Sequence, residues 1–418
     1  MYSLSICLVK AILPLIALFN KKIRLFVCGR KTVWTTLDQK YQTNAPYVWV
    51  HTASLGEFEQ GLPIMKALRK QGYKILLTFF SPSGYEVRKN TPDADLVLYL
   101  PLDTPANARR FVQKVQPAMA IFVKYEFWLN YLSQLKKAQV PTYLLSGNFR
   151  KDQIFFKPYG GLMRKALHCF THFFVQNQLS ATLLHSLGLQ NVTVSGDTRF
   201  DRVAEILQRD NHLDFIEQFK GENLCVVFGS SWPADEDIYL QYINTCKENV
   251  KFIIAPHNIN PVEIAVLKNN KQKLDRSVAL FSEKNSLNLA DYEVLIIDTI
   301  GILTKVYSYA DIAYVGGGMG SSGLHNVLEP AVFGIPVLIG KNFQKFNEAK
   351  ELVALGGVLS VSTQEEFAEK LTTLLASAEK RAAIGEINRK YIQEKQGATQ
   401  AFLSYSSRHN SFHMEPNT

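Results

Sequence analysis

The chain has 418 residues, 47% of them hydrophobic, which is enough for two ordinary domains with full cores. Its five cysteines are scattered, without a CxxC pair or a Cys/His spacing that suits zinc, which excludes a disulfide framework and indicates a reducing, cytosolic compartment. The formal net charge is +9, so we expect anionic partners such as phospholipid or a phosphorylated substrate, and no long basic block indicates a tail that binds nucleic acid.

The amino terminus carries an apolar segment followed by basic residues. Residues 4–19 read LSICLVKAILPLIALF, and residues 20–24 read NKKIR. The apolar run is interrupted by Lys10 and Pro14 and is short for a spanning helix, which needs about 20 apolar residues. A cleavable signal peptide has its basic residues first, whereas here the main basic cluster comes second. The sequence predicts a membrane anchor over residues 1–20 that dips into or barely spans the bilayer, with a buried first helix as the alternative.

Apolar runs alternate with helical patterns along the rest of the chain. Seven strand candidates occupy the first half, most of them separated by a stretch that fits one helix, and the pattern restarts after residues 199–215 with seven more. The predicted strands are residues 47–53, 74–80, 95–101, 118–124, 141–147, 172–177, 192–196, 224–231, 250–257, 277–283, 294–298, 312–318, 336–340 and 357–362. Such alternation is typical of parallel sheets wrapped by crossover helices.

This organisation predicts two doubly wound α/β domains of the Rossmann-like kind. The first covers residues 21–205, the second covers residues 206–406, and they join near residues 200–215. Open parallel sheets bind ligands at the carboxyl ends of their strands, so we expect the ligand in a crevice across which the two domains face each other. Residues 407–418 are polar and are predicted to be a frayed tail.

The first predicted strand leads into a small-residue turn that carries two acids. Residues 51–61 read HTASLGEFEQG, and a helical pattern follows at residues 62–72. A carboxylate at this edge of a sheet can take the proton of a reacting hydroxyl as a general base, and Glu57 is the candidate. From its position alone, Glu57 is equally well explained as an acid that stabilises the positive end of the helix dipole. That interaction contributes about 0.3–1 kcal/mol.

A basic and aromatic stretch covers residues 149–174. It holds five Lys or Arg against one Asp, together with seven Phe or Tyr. Aromatic rings and cations suit a phosphorylated, acylated lipid at a bilayer surface, although residues 172–175 also read as a core strand. The residues that we expect to face the lipid are Arg150, Lys151, Lys157 and Arg164. Stacking on nucleic acid is a poorer interpretation, because no RNA-binding or DNA-binding motif accompanies the stretch.

The strand at residues 224–231 ends in small residues and precedes an acidic helical turn. Residues 228–237 read FGSSWPADED. Ser230, Ser231 and Trp232 at this turn either contact a phosphate and the transferred group or form an ordinary helix N-cap. The sequence alone leaves both interpretations open.

Two later turns offer further ligand contacts. His257 and Asn258 end the strand at residues 250–257, and a histidine at the carboxyl end of a strand favours a ligand contact over a structural role. Ile300 and Gly301 offer backbone amides at a predicted helix start, where they can contact a base or a phosphate.

The strongest local signal is the glycine-rich stretch YVGGGMGSSGLHNVLEPAVFGIPVLIG at residues 314–340. Glycine lets backbone N–H groups approach a phosphate, and the helix predicted from residue 325 favours negative charge at its N-terminus. Glu329 lies near that N-terminus, where a carboxylate can accept hydrogen bonds from ribose hydroxyls. The spacing is not GxGxxG, so the stretch predicts nucleotide binding without an NAD fingerprint. The glycines are Gly316, Gly317, Gly318, Gly320 and Gly323.

Several motifs, taken in order, resemble one enzyme family. They are SLGE at residues 54–57, KYEFWLN at 124–130, SGDTRFDR at 195–202, DTIG at 298–301 and the glycine-rich stretch. Together they resemble the 3-deoxy-D-manno-octulosonic acid (Kdo) transferases of lipopolysaccharide assembly, which are glycosyltransferases of the GT-B type. The resemblance implies a CMP-Kdo donor, a tetraacylated and bisphosphorylated lipid A precursor as acceptor through its 6′-hydroxyl, inversion at the anomeric carbon, and no metal or other cofactor. It also implies an amino-terminal anchor at the cytoplasmic face of the inner membrane.

The resemblance assigns roles to individual residues in the first half. It implies that Glu57 is the general base, whereas Glu59 matches no role and is expected to be a solvated helix acid. Glu126 matches a glutamate of the acceptor and transition-state region. Arg199 stands where the family usually has Lys, and a cation there stabilises the departing phosphate or the carboxylate of the donor.

The family's donor-binding positions fall in the second half of this chain. The implied donor-binding residues are Ser230, Ser231, Pro256, His257, Ile300, Gly301, Ile302, Gly317, Gly318, Asn326, Val327, Leu328 and Glu329. The chain departs from the family at three of them. His257–Asn258 stands where the family often has Arg, Ile302 stands where it often has Glu, and Val327 stands where Pro is usual, so contacts to CMP there are expected to use the backbone or to differ in detail.

Two other classes of function remain open at this point. One is a different GT-B enzyme that uses a UDP-sugar, such as a nucleotide-sugar 2-epimerase or a transferase of the lipid-A-disaccharide type. The other is a non-catalytic, membrane-tethered binder of nucleotide sugars. A donor-binding assay distinguishes an enzyme that uses a UDP-sugar from one that uses CMP-Kdo. A non-catalytic binder would keep its function when Glu57 is removed.

Overall fold

The computed structural model describes residues 2–409. They divide into two compact α/β units, of which the first contains the described residues up to Arg202 and from Lys395 onward, and the second is Val203–Glu394. In chain order the helices are α1 (Tyr2–Ile16), α2 (Lys21–Lys31), α3 (Val33–Lys40), α4 (Leu55–Lys70), α5 (Pro82–Arg88), α6 (Pro105–Val115), α7 (Leu129–Lys137), α8 (Gly161–Leu167), α9 (Gln178–His185), α10 (Thr198–Gln208), α11 (Asp214–Lys220), α12 (Pro233–Thr245), α13 (Pro261–Asn269), α14 (Leu303–Val306), α15 (Leu328–Ala331), α16 (Asn347–Leu355), α17 (Gln364–Ala376), α18 (Ala378–Lys395) and α19 (Ala398–His409).

The strands match the sequence prediction one for one. In chain order they are β1 (Tyr47–Thr52), β2 (Lys74–Phe79), β3 (Leu96–Tyr99), β4 (Met119–Val123), β5 (Thr142–Gly147), β6 (His172–Val175), β7 (Val192–Val194), β8 (Leu224–Ser231), β9 (Val250–Pro256), β10 (Val278–Leu280), β11 (Val294–Ile296), β12 (Ile312–Val315), β13 (Val337–Gly340) and β14 (Val358–Val361). Most of the predicted strands run one to four residues longer than the observed ones, and the strand predicted at residues 224–231 has the bounds of β8.

The first unit is built on a parallel sheet of seven strands in the order β3-β2-β1-β4-β5-β6-β7. Strand β1 pairs with β2 on one side and with β4 on the other, so the chain changes its direction of travel across the sheet between β1 and β4. Doubly wound sheets bind ligands at such a switch point, because the loops that follow the two strands leave toward opposite faces.

Both faces of this sheet are covered, which explains why its strands read as continuous apolar runs. Along β1, Trp49 points into the cluster on one face and Val48 and Val50 point into the cluster on the other. Strand β4 alternates in the same way, with Phe122 on the first face and Ile121 on the second. The period-2 geometry of a strand therefore divides each apolar run between two cores.

The second unit repeats the architecture with a parallel sheet in the order β10-β11-β9-β8-β12-β13-β14. Strand β8 pairs with β9 on one side and β12 on the other, which places the switch point between β8 and β12. The turn after β8 carries Ser231 and Trp232, and the turn after β12 carries the glycine-rich stretch. The topology thus brings two of the sequence motifs to one edge of one sheet.

The carboxyl-terminal helix differs from the predicted domain boundaries. Residues 206–406 were predicted to form one domain, but the chain returns to the first unit at Lys395. In α19, Phe402 packs edge-to-face on Tyr143 of β5, with ring centroids 5.5 Å apart. The Asp201 carboxylate accepts the Gly397 amide at 2.7 Å, which fixes the start of α19. Residues 407–409 belong to this helix, and the rest of the predicted polar tail, residues 410–418, lies outside the described residues.

Three short helices form the amino terminus. Helix α1 contains Pro14 and buries none of its side chains, so the alternative of a buried first helix is wrong. The Tyr2 hydroxyl donates to Asp103 at 2.7 Å and ties the start of α1 to the first unit. Among the described residues, no single helix has the length and hydropathy to cross a membrane, but Tyr2–Ile16 and Lys21–Lys40 together meet those criteria as a pair bent by 118°.

Candidate active site

Glu57 lies in the first turn of α4, directly after β1. Ser54 has extended backbone angles at the N-cap position, and the Ala53 amide donates to the Glu57 carboxylate. Phe58 of the same turn is fully buried and anchors the helix on the sheet. Burial, and next the charge of Glu126, raise the pKa of Glu57 to about 7, although the bond from Ala53 and the charge of Lys124 oppose this rise. A carboxyl group with this pKa can accept a proton near neutral pH.

Glu126 lies in the turn after β4, the strand beside β1. Lys124, which opens the turn, has φ +68°, a left-handed conformation that is unusual for a side chain of this kind and that collects at functional sites. The Glu126 side chain is only 9% exposed. Its Oε2 atom accepts the Trp128 indole N–H at 2.7 Å and lies 3.1 Å from His51 Nε2. Because β1 and β4 end at the same edge, the two glutamates that the motifs identify come together.

His51 is a member of this site that sequence reasoning missed. Its side chain is fully buried, and its Nδ1 atom lies 2.8 Å from the Thr78 hydroxyl and 3.1 Å from the Thr78 carbonyl on β2. Its Nε2 atom lies within reach of both Glu126 and the Trp128 indole. The available signal was a histidine in an otherwise apolar strand, but its partners come from β2 and from the turn after β4.

Arg199 lies at the start of α10 and is held by an acid that was not singled out from the sequence. Its guanidinium pairs with the buried Asp197 at 2.9 Å. Gln60 of α4 and Gln176 donate to the same carboxylate at 3.0 and 2.9 Å. Burial acts to raise the pKa of Asp197. The charge of Arg199 and the hydrogen bonds from Arg199 and Gln60 outweigh burial and hold this pKa below its usual range. The network fixes the backbone around Arg199 against the helix that carries Glu57.

Glu59 differs from its prediction as a solvated acid. Its carboxylate bonds Arg88 of α5 at 2.7 Å and Arg202 of α10 at 3.0 Å, and its side chain is 29% exposed. The acid therefore links three helices of the first unit. The sequence could not show this, because both partners are distant along the chain.

The glycines after β12 are required by close backbone packing. A Cβ atom on Gly316 would lie 2.3 Å from the Ser230 carbonyl oxygen, and one on Gly318 would lie 2.9 Å from the Gly340 amide nitrogen. Gly317 has φ +87°, and its amide donates to Asp235 at 2.7 Å. This amide thus has an internal partner, and the prediction that the glycine-rich stretch contacts a phosphate stays a prediction.

Asp235 organises the edge of the second sheet from the first turn of α12. It is fully buried, and its two oxygens accept the amides of Gly317 and Trp232 and the hydroxyl of Tyr314, at 2.7, 3.0 and 3.0 Å. Burial, and next the charge of Asp235, raise the pKa of Tyr314 far above its usual range, so its hydroxyl remains a donor. One carboxylate thus joins the turn after β8 to the turn after β12.

Three aromatic rings stack beside this carboxylate. The Trp232 and His257 rings lie 4.5 Å apart with an interplanar angle of 20°, and His325 lies 4.5 Å from His257. The Trp232 indole donates to His325 Nε2 at 3.0 Å. Burial lowers the pKa of both histidines, and the charge of His257 lowers that of His325 further. Neutral, stacked rings at a strand edge provide a flat surface for a ligand.

The other residues that are predicted to bind the donor differ in their exposure and in their backbone conformation. Pro256 ends β9 directly before this stack. Ser231 is 3% exposed, and its hydroxyl has no hydrogen-bond partner among residues 2–409. Ser230 has φ +53°, in the left-handed region. Ile300 is 84% exposed and precedes Gly301, whose φ is +98°.

The run from Asn326 to Glu329 forms a compact turn. The predicted helix at residues 325–334 is reduced to the single turn α15. Asn326 donates to Glu329 at 3.2 Å and accepts the Leu328 amide at 3.2 Å. Val327 and Leu328 are buried, whereas Asn326 and Glu329 on either side of them are half-buried.

The basic and aromatic stretch is divided between core and surface. Five of its seven aromatic rings lie within the two cores of the first unit, while Ile154, Tyr159 and Leu162 are exposed by 44%, 76% and 40%. Arg164 donates to the carbonyls of Phe155 and Lys157, at 3.0 and 2.9 Å, which gives it a structural role, while its predicted contact with the acceptor stays a prediction. The phenylalanines of the core that belong to this stretch and pack on the Trp49 face are Phe149, Phe155, Phe170 and Phe173.

The remaining cations of the stretch lie at the surface. Arg150 donates to the Tyr125 hydroxyl at 2.9 Å, which places it beside the turn of Glu126, while Lys151 is exposed and Lys157 is half-buried. Within residues 2–409, no group of three or more His, Cys, Asp or Glu side chains is arranged to hold a metal ion.

Residues 30–202 match the family model described as 3-deoxy-D-manno-octulosonic-acid transferase. A 3-deoxy-D-manno-octulosonic acid transferase from Aquifex aeolicus is 32% identical over 82% of this chain and 89% of its own length. A protein of the same name from Haemophilus influenzae is 28% identical over 85% of each chain.

Solved structures show a related fold. UDP-GlcNAc 2-epimerase from Neisseria meningitidis, bound to UDP-GlcNAc, superposes with a TM-score of 0.62 at 16% identity and covers 87% of this chain and 100% of its own. MurG from Acinetobacter baumannii superposes with a TM-score of 0.54 at 14% identity, over 86% and 99% of the two chains. At these identities the likeness concerns the fold, and it supports the two-domain α/β architecture of GT-B proteins.

Proposed function

Because this chain belongs to the 3-deoxy-D-manno-octulosonic acid transferase family, we propose that it moves Kdo from CMP-Kdo to the 6′-hydroxyl of a tetraacylated lipid A precursor, lipid IVA. The transfer inverts the anomeric carbon and uses no metal ion or other cofactor. The observation that carries this proposal is Glu57, a half-buried carboxyl group at a sheet switch point whose pKa is raised to about 7.

The proposed reaction is a single displacement. Glu57 takes the proton of the acceptor hydroxyl, and the oxygen forms a bond to the anomeric carbon of Kdo. The bond from that carbon to the phosphate oxygen breaks, and CMP leaves with the electron pair. Glu126 orients the acceptor beside Glu57, and the Arg199 guanidinium stabilises the negative charge of the donor carboxylate or of the departing phosphate.

The second unit provides the proposed CMP-Kdo site. The exposed amides at Ile300 and Gly301 and the half-buried Asn326 and Glu329 can recognise the base and ribose by hydrogen bonds. Stacked His257 and Trp232 rings can cover the nucleotide. The glycine stretch contributes by allowing close packing of the turns, while Asp235 holds them in place.

The rate of the transfer reaction should rise with pH and level off above about pH 8. Glu57 acts as a base only when ionised, and with a pKa of about 7 about one tenth of it is ionised at pH 6. The rate at pH 6 should therefore be about one tenth of the plateau. Single-turnover rates between pH 5.5 and 8.5, with both substrates saturating, measure this midpoint, and a flat profile over that range contradicts the assignment.

We further propose that the amino terminus holds the enzyme at the cytoplasmic face of the inner membrane. Helix α1 and the turn after it expose large apolar side chains, including Leu8 at 62%, Leu15 at 65% and Phe19 at 90%. Lys21 and Lys22 follow at once, where they can contact anionic lipid. This apolar surface with a basic flank suits a bilayer that also presents the lipid acceptor.

The double variant Leu8→Asp, Phe19→Asp should lose at least about tenfold in affinity for vesicles. Moving two carboxylates toward the bilayer interior opposes insertion by about 2.5 kcal/mol or more for a central position. Cosedimentation with vesicles of phosphatidylethanolamine and phosphatidylglycerol measures the bound fraction. Leu355→Asp, at a 55% exposed leucine of the second unit, is the matched control. Equal binding by all three proteins contradicts membrane docking through α1.

The proposed activity is tested by offering lipid IVA with one of several sugar donors. CMP-Kdo should yield a product that is heavier by whole Kdo residues, whose number the mass reveals, and the rate should persist in EDTA. UDP-GlcNAc in place of CMP-Kdo should yield nothing. Transfer or epimerisation with the UDP-sugar alone would instead place the chain with the fold relatives that act on such donors.

A further inference from the structure

His51 is a buried, titratable residue that the proposed reaction does not use. It lies at the carboxyl end of β1, two strand residues before the turn that leads to Glu57. Its ring is held on one side by Thr78, through Nδ1, and on the other by Glu126 and Trp128, through Nε2. Its side chain is fully buried, so water does not complete its hydrogen bonds.

The hydrogen bonds of this cluster hold both the His51 ring and the Glu126 carboxylate in place. The Thr78 carbonyl can only accept, and the Thr78 hydroxyl already accepts the Trp49 indole N–H at 2.8 Å, so Nδ1 of His51 is best placed as a donor. The Trp128 indole has one hydrogen, which it gives to Glu126 Oε2 at the shorter distance of 2.7 Å. Nε2 of His51 lies 3.1 Å from the same oxygen and 3.0 Å from the Trp128 indole nitrogen, so the ring contacts both the Glu126 carboxylate and the group that donates to it.

We propose that His51 is a positioning residue for Kdo transfer, which fixes the Glu126 carboxylate beside Glu57 through its contacts to Glu126 Oε2 and to the Trp128 indole. The proposal rests on the proposed function of this site. His51 and Trp128 both contact Oε2 of Glu126, whereas Oε1 accepts no hydrogen bond from residues 2–409. Oε1 can therefore bind a hydroxyl of the acceptor. A histidine below the carboxylate thus sets the orientation in which Glu126 meets the acceptor.

The charge held on Glu126 matters for Glu57. Coulomb repulsion from Glu126 is the second cause, after burial, that raises the pKa of Glu57. Anything that neutralises Glu126 should therefore lower the pKa of Glu57 toward its ordinary value. The other charged or titratable groups that face the cluster are Lys124 from the turn after β4, Asp103 from the turn after β3 and Tyr2 from α1.

The variant His51→Asn keeps an amide near Thr78 and places no donor at the Nε2 position. The midpoint of its pH–rate profile should move to lower pH, because Glu126 is then no longer held beside Glu57 and its charge raises the pKa of Glu57 less. Its kcat should fall about tenfold with little change in KM for CMP-Kdo. His51→Gln reaches the Nε2 position with its amide and should restore the midpoint of the wild type.

Two comparisons separate this role from general loss of structure. Glu126→Gln should show the same shift as His51→Asn, and the double variant should show no further shift, since both act through one interaction. His172→Asn changes another buried strand histidine, one that stacks on Tyr405 of α19, and should leave the midpoint unchanged. A midpoint in folded His51→Asn equal to that of the wild type overturns the proposal.

A measurement that needs no activity decides the case in which His51→Asn fails to fold. In the full-length protein with 15N-labelled histidine, the chemical shifts report the surroundings of the ring nitrogens. The shift of Nε2 of His51 should differ between the wild type and Glu126→Gln, because the variant changes the group that lies 3.1 Å from this nitrogen. Equal shifts in the two proteins overturn the contact between His51 and Glu126, whereas a difference in shift without any Kdo transfer by the wild type overturns only the proposed function.

Discussion

Glu57→Gln should lower the rate of Kdo transfer by about 10²- to 10⁴-fold, with little change in the affinity for CMP-Kdo. Glutamine keeps the size of the side chain and an oxygen that can accept the Ala53 amide, but it cannot take the proton of the acceptor hydroxyl. Single-turnover transfer at pH 8, where the wild-type carboxyl group is ionised, isolates the chemical step. The binding of CMP, measured by calorimetry, reports the donor site independently.

The stability of this variant gives an internal check. Because the pKa of Glu57 is raised from 4.5 to about 7, the protonated carboxyl group favours the folded state. That contribution is full below pH 4.5 and is lost as the pH rises through 7. At pH 8 the neutral glutamine should therefore stabilise the protein, by up to about 3 kcal/mol, since each pKa unit corresponds to about 1.4 kcal/mol.

Glu59→Gln is the matched control for the base. It lies on the same helical turn and has the same chemistry, but its carboxylate is occupied by Arg88 and Arg202. We expect transfer within about threefold of the wild type and a modest loss of stability, because partly exposed ion pairs contribute about 1 kcal/mol or less each. If Glu57→Gln transfers Kdo as fast as Glu59→Gln does, then Glu57 is not the general base. The family assignment would still hold.

Asp235→Ala should have the second largest effect, on donor binding and on stability. The change leaves the amides of Gly317 and Trp232 and the hydroxyl of Tyr314 buried without their acceptor, and each such group costs about 1–3 kcal/mol. We expect the free energy of unfolding of the second unit to fall by about 3 kcal/mol or more. The affinity for CMP should fall at least about tenfold, because the turns after β8 and β12 lose their common anchor.

Two further variants make this test specific. Asp235→Asn keeps one acceptor oxygen and should fall between the wild type and alanine in both urea unfolding and CMP calorimetry. Asp237→Ala removes an exposed acid from the same helix, α12, and should leave both quantities unchanged. If Asp235→Ala remains folded and binds CMP as tightly as the wild type, then the arrangement of the glycine-rich turn does not govern donor binding.

The sequence by itself determined the architecture of this protein. All fourteen predicted strands are present, because a parallel sheet that is covered on both faces requires apolar runs long enough to recognise without context. The short motifs at Glu57 and Glu126 were also recognisable, since each directly follows a strand. The strand order then explains why these two acids meet, although they are far apart in the chain.

Only the tertiary structure decided the roles that depend on distant partners. His51 looked like part of an apolar strand until Thr78 and Glu126 were found on either side of it. The glycines after β12 suggested phosphate, but their packing against Ser230 and Gly340 and the bond to Asp235 explain them from within the fold. Helix α19 joins the first unit because Phe402 fits a hydrophobic surface formed far earlier in the chain. Local patterns determine where strands and helices form, whereas hydrogen bonds and packing across the sheet determine which side chains can act together.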